Sequence, residues 1–129
     1  MKLFLLAALF AVLTCSLSAE TVPPIACNLK ALTAEQRKQL DQLGARAIGA
    51  IVESRDLKDG YSFRIDPAKE SVVEVARWLD IWRRCCPFYE FRIDLHAADG
   101  RFWLSVTGRP GVKEFIPLDS PRLAAKLPQ

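Results

Sequence analysis

With 129 residues, half of them hydrophobic, the chain has room for one domain around one core. Its 18 basic and 15 acidic residues are dispersed, for a net charge of +3, and no stretch combines clustered Lys/Arg with spaced aromatics. That argues against nucleic acid as a partner.

Residues 1–19 read as a Sec-type signal peptide. Lys2 gives a positive start, residues 3–13 are an unbroken apolar run, and Ser16, Ser18 and Ala19 are the small residues that signal peptidase accepts. Cleavage is expected after Ser18 or Ala19. The run is about half the ~20 residues a stable membrane span needs, so the expected product is periplasmic or secreted, with no membrane association after cleavage. Cys15 raises lipid attachment as an alternative, but Thr14 stands where such signals want Gly, Ala or Ser. The mature chain keeps 17 basic and 15 acidic residues, a net +2.

Residues 20–28, with Pro23-Pro24, read as an extended tether. Thr33 and Gln36 have capping-box spacing, and Leu32, Gln36, Leu40, Leu43 and Ala47 mark the mostly apolar face of a first helix. Gly44 and Gly49 predict fraying at its end. Residues 51–57 form a strand, Lys58-Asp59-Gly60 a turn, and Tyr61, Phe63 and Ile65 alternate with polar residues in a second strand, completing a hairpin.

Asp66-Pro67 can open the second helix, with Ser71 and Glu74 offering a second capping box slightly later. Val72, Val75, Leu79, Trp82 and Cys86 form one apolar stripe, and Trp78, Ile81 and Cys85 a neighbouring one. Such a wide apolar surface predicts a helix packed across a sheet. Arg77, Asp80, Arg83 and Arg84 form its wetter side, and Pro87 ends it. Residues 89–96 alternate cleanly as a third strand, Ala98-Asp99-Gly100 turns the chain, and residues 102–107 form a fourth. Residues 108–111 are a loop, with neither the glycine spacing nor the lysine of a phosphate loop. Residues 112–116 fit a helical turn or an edge strand, and Ser120-Pro121 can cap a short helix through Leu127.

The expected fold is α+β: a two-layer sandwich in helix, hairpin, helix, hairpin order, with about four mostly antiparallel strands and helices on one face. Residues 29–118 form the single domain and residues 119–129 a short tail or helix. Tyr61-Ser62-Phe63-Arg64-Ile65-Asp66 and Tyr89-Glu90-Phe91-Arg92-Ile93-Asp94 are nearly identical, from convergent strand patterning or a decayed duplication.

Several motifs are shared with a family of small, largely uncharacterised bacterial proteins, which the chain resembles over nearly all of its mature length. They are Ile25-Ala26-Cys27-Asn28-Leu29, Asp59-Gly60-Tyr61 with Phe63-Arg64, and Arg84-Cys85-Cys86-Pro87-Phe88 with Phe91. Trp103-Leu104, Thr107-Gly108 and Gly111-Val112-Lys113-Glu114-Phe115 continue the pattern. The resemblance implies no established activity, only a loose association with metal-resistance settings. Family members usually begin near the position of Ile25; this chain adds a signal.

Cys27, Cys85 and Cys86 are the sharpest chemical constellation, an odd number of thiols in an oxidising compartment. Three thiolates suit a soft ion such as Hg(II), Cu(I) or As(III) in a trigonal site. Arg83 and Arg84 would favour thiolate, whereas the helix C-terminus disfavours it. Adjacent helical cysteines diverge by about 100°, so convergence would need the proline-terminated last turn. Two other readings stay open: a disulfide from Cys27 to one of the pair, or small core side chains beside Leu79 and Trp82. The spacing matches no zinc ribbon.

His96 shares a strand face with Asp94, but no serine is placed as a nucleophile beside them, and a solvated histidine is expected. Trp78, Trp82 and Trp103 read as core or sheet-face aromatics. The expected function is that of an exported, non-catalytic protein binding a soft metal or metalloid through Cys27, Cys85 and Cys86. The alternative is an interaction or structural module whose cysteines brace the fold. Exposed strand edges would permit a homodimer.

Overall fold

The computed structural model describes Ser16, Ser18 and residues 21–129; the apolar run of the signal and Cys15 lie outside the described residues. The chain enters the fold through a single 3-10 turn, Leu29–Ala31, whose Lys30 amide donates to the Asn28 side chain. Thr33 then caps helix α1, Ala34–Gly49, with both halves of the expected box. The Gln36 amide donates to Thr33 Oγ1 at 3.1 Å, and the Thr33 amide to Gln36 Oε1 at 2.9 Å. Such a cap is worth about 1 kcal/mol.

The fraying predicted from Gly44 does not occur, and α1 runs unbroken to Gly49. Gly44 is buried, and a Cβ there would lie 2.9 Å from Trp78 Nε1. The missing side chain lets an indole lie against the helix backbone. Burial of that ring outweighs the roughly 1 kcal/mol that glycine costs a helix.

Strands β1, Ile51–Leu57, and β2, Gly60–Ile65, form the first hairpin. Helix α2, Val72–Cys85, follows, then the second hairpin of β3, Glu90–Leu95, and β4, Phe102–Thr107. All pairings are antiparallel in one four-stranded sheet of order β1-β2-β4-β3, and the fold is α+β with helices packed on that sheet.

On the inner face Tyr61, Phe63 and Ile65 lie opposite Val106, Leu104 and Phe102, with Phe91, Ile93 and Leu95 beyond them. Phe63, Phe102, Leu104 and Val106 are fully buried. The outer face is polar: Ser62 and Ser105 share a 3.1 Å hydrogen bond, and the Arg55 guanidinium lies over Trp103 at 4.1 Å. The two near-identical segments flank β4 with a two-residue offset, Phe63 facing Leu104 and Phe91 facing Val106. An even offset keeps the apolar side chains of both segments on the same face of the sheet.

Helix α2 opens at the later of its two signals. Residues 66–70 form a turn held by the Ala68 amide on Asp66 Oδ1, and Ser71 caps the helix by accepting from the Glu74 amide. Glu70, buried in that turn, is satisfied by Arg46 at 3.1 Å and by the Ser71 amide. Both apolar stripes are buried, apart from Val72, which is half-buried at the start of the helix.

Residues 112–116 belong to a helix, α3, Val112–Asp119, and Ser120 caps a one-turn helix α4, Pro121–Ala124, shorter than the sequence suggested. Gly111 adopts φ +100° at the start of α3, and Ile25 Cδ1 packs 3.0 Å from where its Cβ would be. Arg109 donates to the Pro23 carbonyl, so the tether is held by this corner. Leu123 is buried, so residues beyond 119 help close the core. Among the described residues no helix is long and apolar enough to cross a membrane.

Candidate functional site

Pro87 ends α2, which leaves Cys85 as its last helical residue and Cys86 as its cap, with φ −128° and ψ 68°. Leaving helical geometry there turns the two adjacent side chains together, and Cys85 Sγ lies 3.4 Å from Cys86 Sγ. Cys86 is bonded to Cys27 across a sequence separation of 59 residues. Beside that disulfide, the Asn28 amide donates to the Cys85 carbonyl at 2.7 Å. The tether is thus fastened to the end of α2 by a covalent bond and a backbone hydrogen bond.

Cys85 is the free cysteine among the described residues, fully buried, and its thiol donates to the Trp82 carbonyl at 3.3 Å. The three predicted sulfurs therefore meet in one place, but two are joined. A three-thiolate donor set exists here only after reduction. Arg83 and Arg84 do not assist a thiolate as expected: both point to solvent and pair with Asp80 at 2.8 Å. Burial, and then the charge of Asp119, push the Cys85 thiol up instead.

Asp119, the last residue of α3, completes the cluster. Its Oδ2 accepts from Tyr89 Oη at 2.9 Å and from Trp82 Nε1 at 3.3 Å, while Oδ1 lies 3.3 Å from Cys27 Sγ. Oxidised Cys27 has no proton to give, so this last contact is a hydrogen bond only when a protonated Asp119 donates. Burial raises the Asp119 carboxyl above its ordinary range, against the opposing effect of its two donors. Burial likewise drives the Tyr89 phenol far upward, reinforced by Asp119, so it stays a neutral donor.

Above this cluster a cleft of about 610 Å³ opens between α1, α2 and the α3–α4 corner. Trp78 and Trp82 stack at 4.7 Å and line it with Leu29, Leu40 and Ile48; the disulfide and Asp119 close its base. At the rim Arg122 pairs with Asp41 at 2.8 Å, and Arg37 donates to the Leu32 carbonyl at 2.8 Å. The rim charges thus answer each other or the backbone, and the interior is apolar.

His96 is exposed at the β3–β4 turn, and its neighbour Asp94 is held by Arg92 at 3.0 Å. Trp78 and Trp82 are buried as expected, and Trp103 is half-buried on the outer sheet face. Asp119 is the residue that sequence reasoning missed. A buried tryptophan N–H and tyrosine O–H each need an acceptor, but nothing in the sequence says that a carboxylate 30 residues beyond Tyr89 supplies both. Comparison with protein-family models, curated proteins and solved structures finds no match, so what the site does is read from its own chemistry.

Proposed function

We propose that the protein is an exported, non-catalytic binding module that takes a small, largely apolar ligand in this cleft, with Cys27–Cys86 bracing one wall. The cleft itself carries the reading. Its volume of about 610 Å³ falls within the few hundred to a thousand Å³ usual for small-molecule sites. Leu29, Leu40 and the uncovered edges of the stacked indoles line it with apolar atoms, and Asp119 is a half-buried carboxyl that would orient a ligand bearing a donor. Burial pushes the Cys85 thiol and the Tyr89 phenol up, which disfavours each as a nucleophile or base at neutral pH and supports a non-catalytic role. The signal pattern supports export, as does a disulfide, which persists in oxidising compartments.

Titration with the neutral probe N-phenyl-1-naphthylamine tests this. Saturable binding at one site per chain, with quenching of tryptophan emission, is expected. Absence of saturable binding would sink the proposal.

A second reading is favoured by one distance. Donor atoms of Cys27, Cys86 and Asp119 all lie within 4.8 Å of one another. In reduced protein the two thiolates, with Cys85 beside Cys86, would offer a soft ion such as Hg(II), Cu(I) or As(III) the donors it prefers. Phenylarsine oxide added to reduced, desalted protein should bind one per chain, and oxidised protein should bind none. Equal binding by both forms, or none by either, refutes this reading.

A further inference from the structure

We propose that Cys85 is the nucleophile of an internal thiol–disulfide exchange, which moves the bond from Cys27–Cys86 to Cys85–Cys86 and unfastens the N-terminal segment. The geometry is specific. Cys85 Sγ is 3.4 Å from Cys86 Sγ, close to contact distance for two sulfurs, and Cys86 Sγ is the central atom of the pair to be exchanged. The non-helical backbone of Cys86 is what brings the adjacent sulfurs together. A merely space-filling cysteine has no need of this approach.

The reaction balances without an external oxidant or reductant. Hydroxide takes the Cys85 proton, and the resulting thiolate attacks Cys86 Sγ. A Cys85–Cys86 bond forms as the Cys86–Cys27 bond breaks. The electron pair leaves on Cys27 Sγ, which regains a proton from water. One thiol and one disulfide are present before and after.

The consequence is asymmetric. Cys85 is buried, whereas Cys27 is half-buried on a segment with few other anchors. Exchange therefore converts a shielded thiol into an accessible one at the base of the cleft. The tether then keeps the Asn28–Cys85 backbone hydrogen bond, the Arg109–Pro23 contact and the packing of Ile25. The ionisable groups that face Cys85 are Asp119 from α3 and Tyr89 from the segment before β3. Burial and then the charge of Asp119 oppose a thiolate, while Tyr89 stays neutral, and exchange is therefore slow at neutral pH.

The proposal shares its disulfide with the cleft reading, but its test reads sulfur connectivity and not ligand binding. Native oxidised protein is incubated with iodoacetamide at pH 7, 8 and 9, quenched in acid, digested with pepsin and mapped by mass. The expected product carries carbamidomethyl on Cys27 and a Cys85–Cys86 bond. It should form about tenfold faster per pH unit, as the thiolate fraction grows. Cys85→Ser should abolish it while leaving Cys27 joined to Cys86. Alkylation confined to Cys85, or no alkylation with Cys27–Cys86 intact at every pH, would overturn the proposal.

Discussion

Asp119 holds a carboxylate in a place that water would favour more. Its two donors, Trp82 and Tyr89, offset part of the cost of burial, yet the carboxyl still binds its proton more tightly than an exposed aspartate does. A folded-state value above the unfolded one means that the native protein retains a proton the unfolded chain has lost. Stability should therefore fall as pH rises from about 4 through the folded value of Asp119, then level off. Glu53, Glu74, Asp80 and Asp99 are each held below their ordinary values, chiefly by hydrogen bonds from arginine side chains or, for Asp99, from the Arg101 backbone. Their contributions are present above about pH 4 and are lost as pH falls through their lowered values. The two windows do not overlap. Urea midpoints measured between about pH 4.5 and 7 should decline with pH in the native sequence and flatten in Asp119→Asn, whose amide oxygen can still accept from both donors. An unchanged slope would show that Asp119 is not the group responsible.

At the scale of elements, capping and periodicity made most of the fold legible. The Thr33–Gln36 box, the alternation of residues 61–66 and 89–95, and the width of the apolar surface on α2 each predicted what forms. Elements were misjudged where tertiary contact overrides local preference. Gly44 marked a frayed end on propensity alone, but the indole of Trp78 occupies the space a side chain would need. Gly44→Ala, which favours an isolated helix by about 1 kcal/mol, should destabilise this protein. Trp78 is buried and stacked on Trp82, so it cannot swing aside, and overpacking of this kind costs about 1–3 kcal/mol. Chemical denaturation checks the sign, since propensity and packing predict opposite shifts of the midpoint. The second helix posed a different difficulty. Asp66-Pro67 and Ser71 are both competent openings, and the choice falls to Ser71 because the intervening turn buries Glu70 against Arg46.

For the whole molecule, the sequence identified the three sulfurs and not their state. That Cys27 reaches Cys86, 59 residues away, depends on how the tether lies across the end of α2, which no local pattern encodes. The cleft was equally hidden, because its walls come from α1, α2 and the α3–α4 corner, and its base needs a carboxylate from residues read as a tail. In the oxidised protein the disulfide holds residues 27–29 in place, and Leu29 forms part of one wall. Reduction removes that restraint and, of the lining side chains, changes only Cys27 and Cys86. The most direct measurement is therefore a titration of N-phenyl-1-naphthylamine into oxidised and reduced protein, followed by tryptophan emission. Saturable binding to the oxidised form, weakened by about tenfold on reduction as a loss of roughly 1.4 kcal/mol requires, is the predicted result. Equal affinity in both forms would contradict a bracing role for Cys27–Cys86, and no binding to the oxidised form would contradict the cleft as a ligand site.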